Sequence, residues 1–316
     1  MRKPFLLVSL SNSATCSQLS YVNEPHLNRL SCSSQGDYSF TRCSFFGDPH
    51  NPLAGNGGAI SISSSAATLT VSSCDFHLLA VTGDGGAIYT ASLPKVSITD
   101  SLFERCKPPG YEEGAIGAAL IHSCANPFIQ NCMFVLCTSF GDGGAVYFYY
   151  GGCEWNNGIA VQNSRFVCCK RTAENSRSDV TDGGGLMTYD NTQLIGVSNC
   201  LYSQCHSYKG GGMYLYILNY RDLSSIQFCF FTKNTGTYGN DPFVNFQCTV
   251  YLENIFLRSF TAGAANSFRK DHSSPHNIAN NWLHTININM DLCEYVDNHN
   301  PLPINNISDN KQLYSV

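Results

Sequence analysis

The chain has 316 residues, a formal net charge of −5, and 13% charged against 43% hydrophobic residues, where an ordinary soluble domain carries about 25% charge. This balance excludes a disordered polyelectrolyte and a basic nucleic-acid binder, so no nucleic-acid partner is expected. No run of about 18 apolar residues occurs, so no transmembrane segment is expected in this chain.

Residues 1–39 read as an N-terminal cap, a degenerate signal or a first coil. Met1-Arg2-Lys3 followed by Phe5-Leu6-Leu7-Val8 has the order of a secretory signal. However, Ser9, Ser11 and Asn12 break the apolar run short of the usual 7 to 15 or so residues.

From residue 40 to 261 two short patterns alternate. One is aliphatic-x-x-small-x-aromatic, ending at Phe45, Phe76, Phe103, Phe134, Phe166, Tyr202, Phe231 and, in a weaker copy, Phe256. The other is a glycine pair, a small residue and an aliphatic one: Gly57-Gly58-Ala59-Ile60, Gly85-Gly86-Ala87-Ile88, Gly143-Gly144-Ala145-Val146, Gly183-Gly184-Gly185-Leu186 and Gly210-Gly211-Gly212-Met213. Gly117-Ala118-Ala119-Leu120 reads as a degenerate copy, which places Leu120 in the aliphatic column. Successive aromatic positions lie about 30 residues apart, within the range of stacked repeats. The spread of spacings fits loops of different length on a constant scaffold, the longest holding the charged Lys170–Arg177 insertion. Residues 262–316, rich in Asn and His, read as a C-terminal coil or cap and tail.

Helical repeats need apolar residues at 3.6 spacing and few glycines. These units instead have short alternating runs of β-branched residues between Gly, Ser, Thr and Asn. A propeller blade needs about 40 residues. The expected fold is therefore all-β, a single parallel β-helix of about 7–9 coils with terminal caps. Within it the aliphatic column should point inward, and the small residue before it should mark a tight corner.

The Gly-Gly-Ala-aliphatic and Phe-x-x-Asn motifs resemble the repeat of the polymorphic outer-membrane protein family, surface adhesins of chlamydial type. Similar repeats occur in surface-protein families of some protists. The resemblance covers residues 40 to about 256 and implies a right-handed β-helix of the pectin-lyase-like class. It also implies adhesion and a cell-surface or secreted location, with an intracellular one left open. The first motif is intact at 57–60 and 85–88. The second keeps its Asn only in Phe231-Thr232-Lys233-Asn234, and Cys106, Cys137, Cys169 and Cys205 stand at that place in other copies. The family's membrane barrel has no counterpart in the residues after the repeats.

The cysteines fall into columns. Cys43, Cys74, Cys132, Cys200 and Cys229 alternate with Ser101 and Ser164 in one, and Cys106, Cys137, Cys169 and Cys205 form another. A place that takes Cys or Ser asks for a small, weakly polar side chain, so free buried thiols are favoured over disulfides. No C-x-x-C or closely spaced Cys/His set suggests zinc. Asp84, Asp142 and Asp182 precede glycine pairs and could offer oxygen ligands to calcium, although a turn-forming role accounts for them. No cofactor or metal is expected.

Adjacent carboxylates for a polysaccharide lyase or hydrolase occur only at Glu112-Glu113, and His122 and His206 have no nucleophile elbow near them in sequence. No catalytic residues are assigned.

Immediately after the inward column come Ser61, Tyr89, Ile121, Tyr147, Met187 and Tyr214, with Tyr149 and Tyr216 two residues further on. Alternation places these outside, and so apolar an outer column implies a cover or a ligand. The N-terminal segment or the tail would supply a cover. As a binding surface, the stripe Tyr89, Tyr147, Tyr149, Tyr214 and Tyr216 would suit a protein or glycan partner. The expected function is a non-enzymatic surface or interaction protein, adhesin-like, with a carbohydrate-active β-helix enzyme as the alternative.

Overall fold

The structure is a computed structural model. It describes residues 29–107, 117–141, 143–149, 158–170, 183–189, 196–208, 210–215 and 229–236 with their side chains, and further strands between Leu19 and Leu283 by backbone pairing alone. The chain is all-β and winds as a parallel β-solenoid, each strand pairing in parallel with its counterparts on the coils before and after it. One coil comprises Ile88–Ala91 in a third sheet, Lys95–Thr99 in a first and Leu102–Glu104 in a second. From Thr138–Ser139 onward a short fourth sheet is added.

Five turns separate Ile60 from Met213 along the third sheet. Strands on both sides extend the first two sheets to ten strands and the third to eight. The strand Gly36–Thr41 pairs along its whole length with Ala67–Ser72, so the stack is already regular ahead of residue 40. Of residues 262–316, only Asn277–Ala279 and Trp282–Leu283 are described, each extending a sheet. The remainder of that tail, and most of the region before residue 29, lie outside the described residues.

The interior follows from alternation within short strands. Val96 and Ile98 point inward with no exposure, while Ser97 and Thr99 between and beside them face out. The centres of the second-sheet strands from Ser44–Phe46 to Phe230–Thr232 supply the aromatic position of the repeat, whereas in the weaker last copy Leu257, not Phe256, pairs with Phe231. Phe45, Phe76, Phe103, Phe134, Phe166, Tyr202 and Phe231 stack in one continuous ladder, with ring centroids 4.5 Å apart at Phe76–Phe103 and 5.0 Å apart at Phe134–Phe166. That spacing matches the roughly 4.8 Å between hydrogen-bonded strands, so one ring per coil fills the wall without a gap.

Two bends in each coil are made by residues in the left-handed region. Ser73, Asp100, Asn131, Asn163 and Asn199 occupy the first bend, and Arg105, Leu136, Cys168, Gln204 and Lys233 the second, with φ between 50° and 56°. The next residue is a cysteine, serine or asparagine whose side chain serves the backbone of a neighbouring coil. The thiols of Cys106, Cys137, Cys169 and Cys205 donate to the carbonyls of Phe76, Phe103, Phe134 and Phe166 at 3.4–3.5 Å. Asn234 donates from Nδ2 to the Tyr202 carbonyl at 3.1 Å and accepts the Cys205 N–H on Oδ1 at 2.9 Å. In the other column the Ser101 and Ser164 hydroxyls accept the N–H groups of Cys74 and Cys132. Buried backbone groups must find partners, and a small donor–acceptor at this corner provides them. This need explains why Cys, Ser and Asn exchange there.

Cys74, Cys106, Cys132, Cys137, Cys169, Cys200 and Cys205 are buried free thiols. Burial pushes Cys74 and Cys132 from 9.0 up to about 12. An unfolded thiol therefore ionises at a pH where the folded one is still protonated. The stability these thiols contribute is complete below about pH 9 and is lost as pH rises toward about 12. Urea midpoints should fall between about pH 8 and about pH 10.5, and Cys74→Ser with Cys132→Ser should flatten that fall relative to the parent. Parallel curves for parent and variant would contradict the assignment.

The glycine pairs make the turn into the third sheet. Gly85, at φ 64°, takes a conformation that L side chains rarely adopt. Gly58, Gly86, Gly144 and Gly184, second in their pairs, sit on backbone: a Cβ on Gly184 would collide with the Gly211 carbonyl oxygen.

One copy departs from its expected register. Ala119, not Leu120, pairs with Ile88 and Val146, and Leu120 pairs with Tyr89 and Tyr147. The lone Gly117 fills the place of the second glycine, its carbonyl accepting the Gly86 N–H at 2.6 Å. A shift of one residue moves every side chain of a strand to the opposite face, so Leu120 lies outside and Ile121 faces the interior, 1% exposed.

Candidate functional site

The third sheet runs Ile60–Ser63, Ile88–Ala91, Ala119–His122, Val146–Tyr149, Leu186–Asn191 and Met213–Ile217. Its outer face carries an apolar cluster separate from the solenoid core. Leu120, Tyr147, Met187 and Tyr214 form the cluster, and Tyr89, Tyr149 and Tyr189 pack against it half-buried. Backbone register stacks Ser61, Tyr89, Leu120, Tyr147, Met187 and Tyr214 in one column. Leu120 takes the place expected of Ile121.

The expected stripe divides in two. Tyr147 and Tyr214 lie at the base of the face, each only 4% exposed, so they form its floor. Tyr89 and Tyr149 remain half-buried at its surface. Tyr216 continues the sheet by pairing with Asn245, and its side chain lies outside the described residues.

The second outward column adds two residues that sequence reasoning missed, His122 and Tyr189. His122 stacks on Tyr149 at 5.1 Å, and Tyr149 stacks on Tyr189 at 5.9 Å with their rings 6° from parallel. Tyr147 reaches up from the floor to Tyr149 at 5.7 Å, its ring tilted by 58°. Both residues stand two places beyond the column that holds Leu120 and Met187, so alternation reaches Tyr189 from Met187 directly and His122 once Leu120 is in register. Burial lowers the pKa of His122, which favours a neutral imidazole in this apolar setting.

Elsewhere, His206 belongs to the fourth sheet and meets Thr235 Oγ1 at 2.6 Å. The Asp84 N–H donates to Asn56 Oδ1 at 2.9 Å, tying adjacent coils. Asp142, Asp182 and the Glu112-Glu113 pair lie outside the described residues. Among the described residues, no group of three His, Cys, Asp or Glu side chains is placed to hold a metal, and no helix is long and apolar enough to cross a membrane. Comparison with family models, curated proteins and solved structures finds no match.

Proposed function

We propose that the protein is a non-enzymatic, adhesin-like interaction scaffold that engages a protein or glycan partner through the outer face of its third sheet. The observation that carries this reading is the aromatic row His122–Tyr149–Tyr189 standing half-buried over its own apolar floor. Rigid aromatic side chains provide contact area at low entropic cost. The glycine-pair corners and the aromatic ladder support placement with the polymorphic outer-membrane type of right-handed, pectin-lyase-like solenoid, and with it a surface or secreted location.

Two linked measurements test the reading. An antibody against the chain should label intact, non-permeabilised source cells, and labelling only after permeabilisation would remove the adhesin role. On arrays of immobilised glycans and cell-surface proteins, Tyr149→Ala with Tyr189→Ala should weaken binding at least about tenfold, the loss of roughly 1.4 kcal/mol. The thermal midpoint should stay near that of the parent. Equal binding by parent and double variant would locate the site elsewhere.

A further inference from the structure

A second outward face has a different character. The large hydrophobic side chains exposed among the described residues are Phe46, Leu53, Leu78, Met133 and Leu136, at 36–45%. All but Leu53 lie on the second sheet or on the bend that follows it. Register aligns the first residues of successive second-sheet strands into one column that includes Ser44, Asp75, Leu102, Met133, Arg165, Leu201 and Phe230. Within it the run Asp75, Leu102, Met133 and Arg165 reads acid, apolar, apolar, base. Neither Asp75 nor Arg165 forms an ion pair among the described residues, whereas nearby Glu104 is engaged by His77 at 3.2 Å and Arg105 at 4.0 Å.

We infer that this face docks a second copy of the same chain about a two-fold axis. The axis runs along the strand direction, midway between the Leu102–Glu104 and Met133–Val135 strands. Rotation about it reverses the column, setting Asp75 of each copy opposite Arg165 of the other and Leu102 opposite Met133. A two-fold interface requires this self-complementarity, in which residue i meets j and j meets i. The flanking positions fit the same operation. Leu136 meets the aliphatic stem of Arg105, and Val167 meets His77. Glu104 faces Val135 but already has its charge partners on its own chain. Face-to-face sheets about 10 Å apart leave room for Leu102 and Met133 to interdigitate and for Arg165 to reach a carboxylate.

The area sets the strength. Six strands about 4.8 Å apart and three residues wide give a face of roughly 30 by 10 Å, well below the roughly 800 Å² per partner of a stable complex. The dimer is therefore weak and concentration-dependent, suited to chains crowded on a surface. The charged ends act mainly to fix the antiparallel register of the two solenoids.

Sedimentation equilibrium of the full chain over a broad concentration series tests the assignment. The parent should show a monomer–dimer equilibrium. Asp75→Arg and Arg165→Asp should each lower the association constant about tenfold or more, because each sets like charges opposite one another twice per dimer. The double variant carrying both changes should recover most of the parental constant. All of these changes are on the surface, so unchanged circular dichroism and thermal midpoints report an intact fold. A strictly monomeric parent, a dimer insensitive to both reversals, or a double variant as weak as the singles would overturn the inference.

Discussion

Phe134→Ala should destabilise the solenoid by about 3–5 kcal/mol, the range for truncating a large buried aromatic. Phe134 is fully buried and lies between Phe103 at 4.7 Å and Phe166 at 5.0 Å. Removing it deletes both stacking contacts and leaves a ring-sized cavity. The strands above and below cannot close that cavity, because their spacing is set by backbone hydrogen bonds. Phe134→Leu retains much of the volume and should cost distinctly less. Urea unfolding followed by tryptophan fluorescence and circular dichroism measures both. An alanine cost under about 1 kcal/mol would mean that the ladder does not support the stack.

Gly184→Ala is expected to be as damaging although it adds a single methyl group. The new Cβ would strike the Gly211 carbonyl oxygen and lie 2.7 Å from the His206 nitrogen. Overpacking costs about 1–3 kcal/mol where side chains can yield, but the obstacles here are backbone atoms of the next coil. To relieve the clash the coils must part, which breaks Gly184 N–H to Gly210 O at 3.2 Å and Gly185 N–H to Gly212 O at 2.9 Å. A loss above about 3 kcal/mol, or failure to yield soluble protein, is the expected outcome. Because Gly184 faces neither proposed docking surface, a variant that still folds should keep its partner binding. The paired control is Ala145→Gly at the same corner one coil earlier, which removes a methyl group and should be tolerated far better. Near-parental stability of Gly184→Ala would show that this corner can open at little cost.

Both substitutions fall on features that are regular in the amino-acid sequence itself. The aromatic ladder, the cysteine and serine columns and the glycine corners are regular in the chain because each is imposed coil by coil through local geometry. One ring, one small donor and one hydrogen side chain are needed per coil, so period and residue type together revealed the solenoid. The floor of the third-sheet face was partly legible, since Tyr147 and Tyr214 stand in a recognisable outward column. Their burial was not, because alternation assigns a side of a strand and says nothing of what lies above it. His122 was missed because the register of its coil depends on which of two positions Gly117 occupies, whereas Tyr189, two places beyond Met187, was within reach of alternation and was overlooked.

The sequence by itself determined the all-β repeat, its parallel stacking, the interior columns and the chemistry of the corners. Each of these follows from short-range rules of strand alternation, backbone satisfaction and steric room. The tertiary structure alone decided that Ala119 takes the inward place and Leu120 the outward one, and that the tyrosine stripe divides into a floor and a half-buried rim. These outcomes depend on how residues about 30 positions apart come into register, and register is set by the contacts between coils.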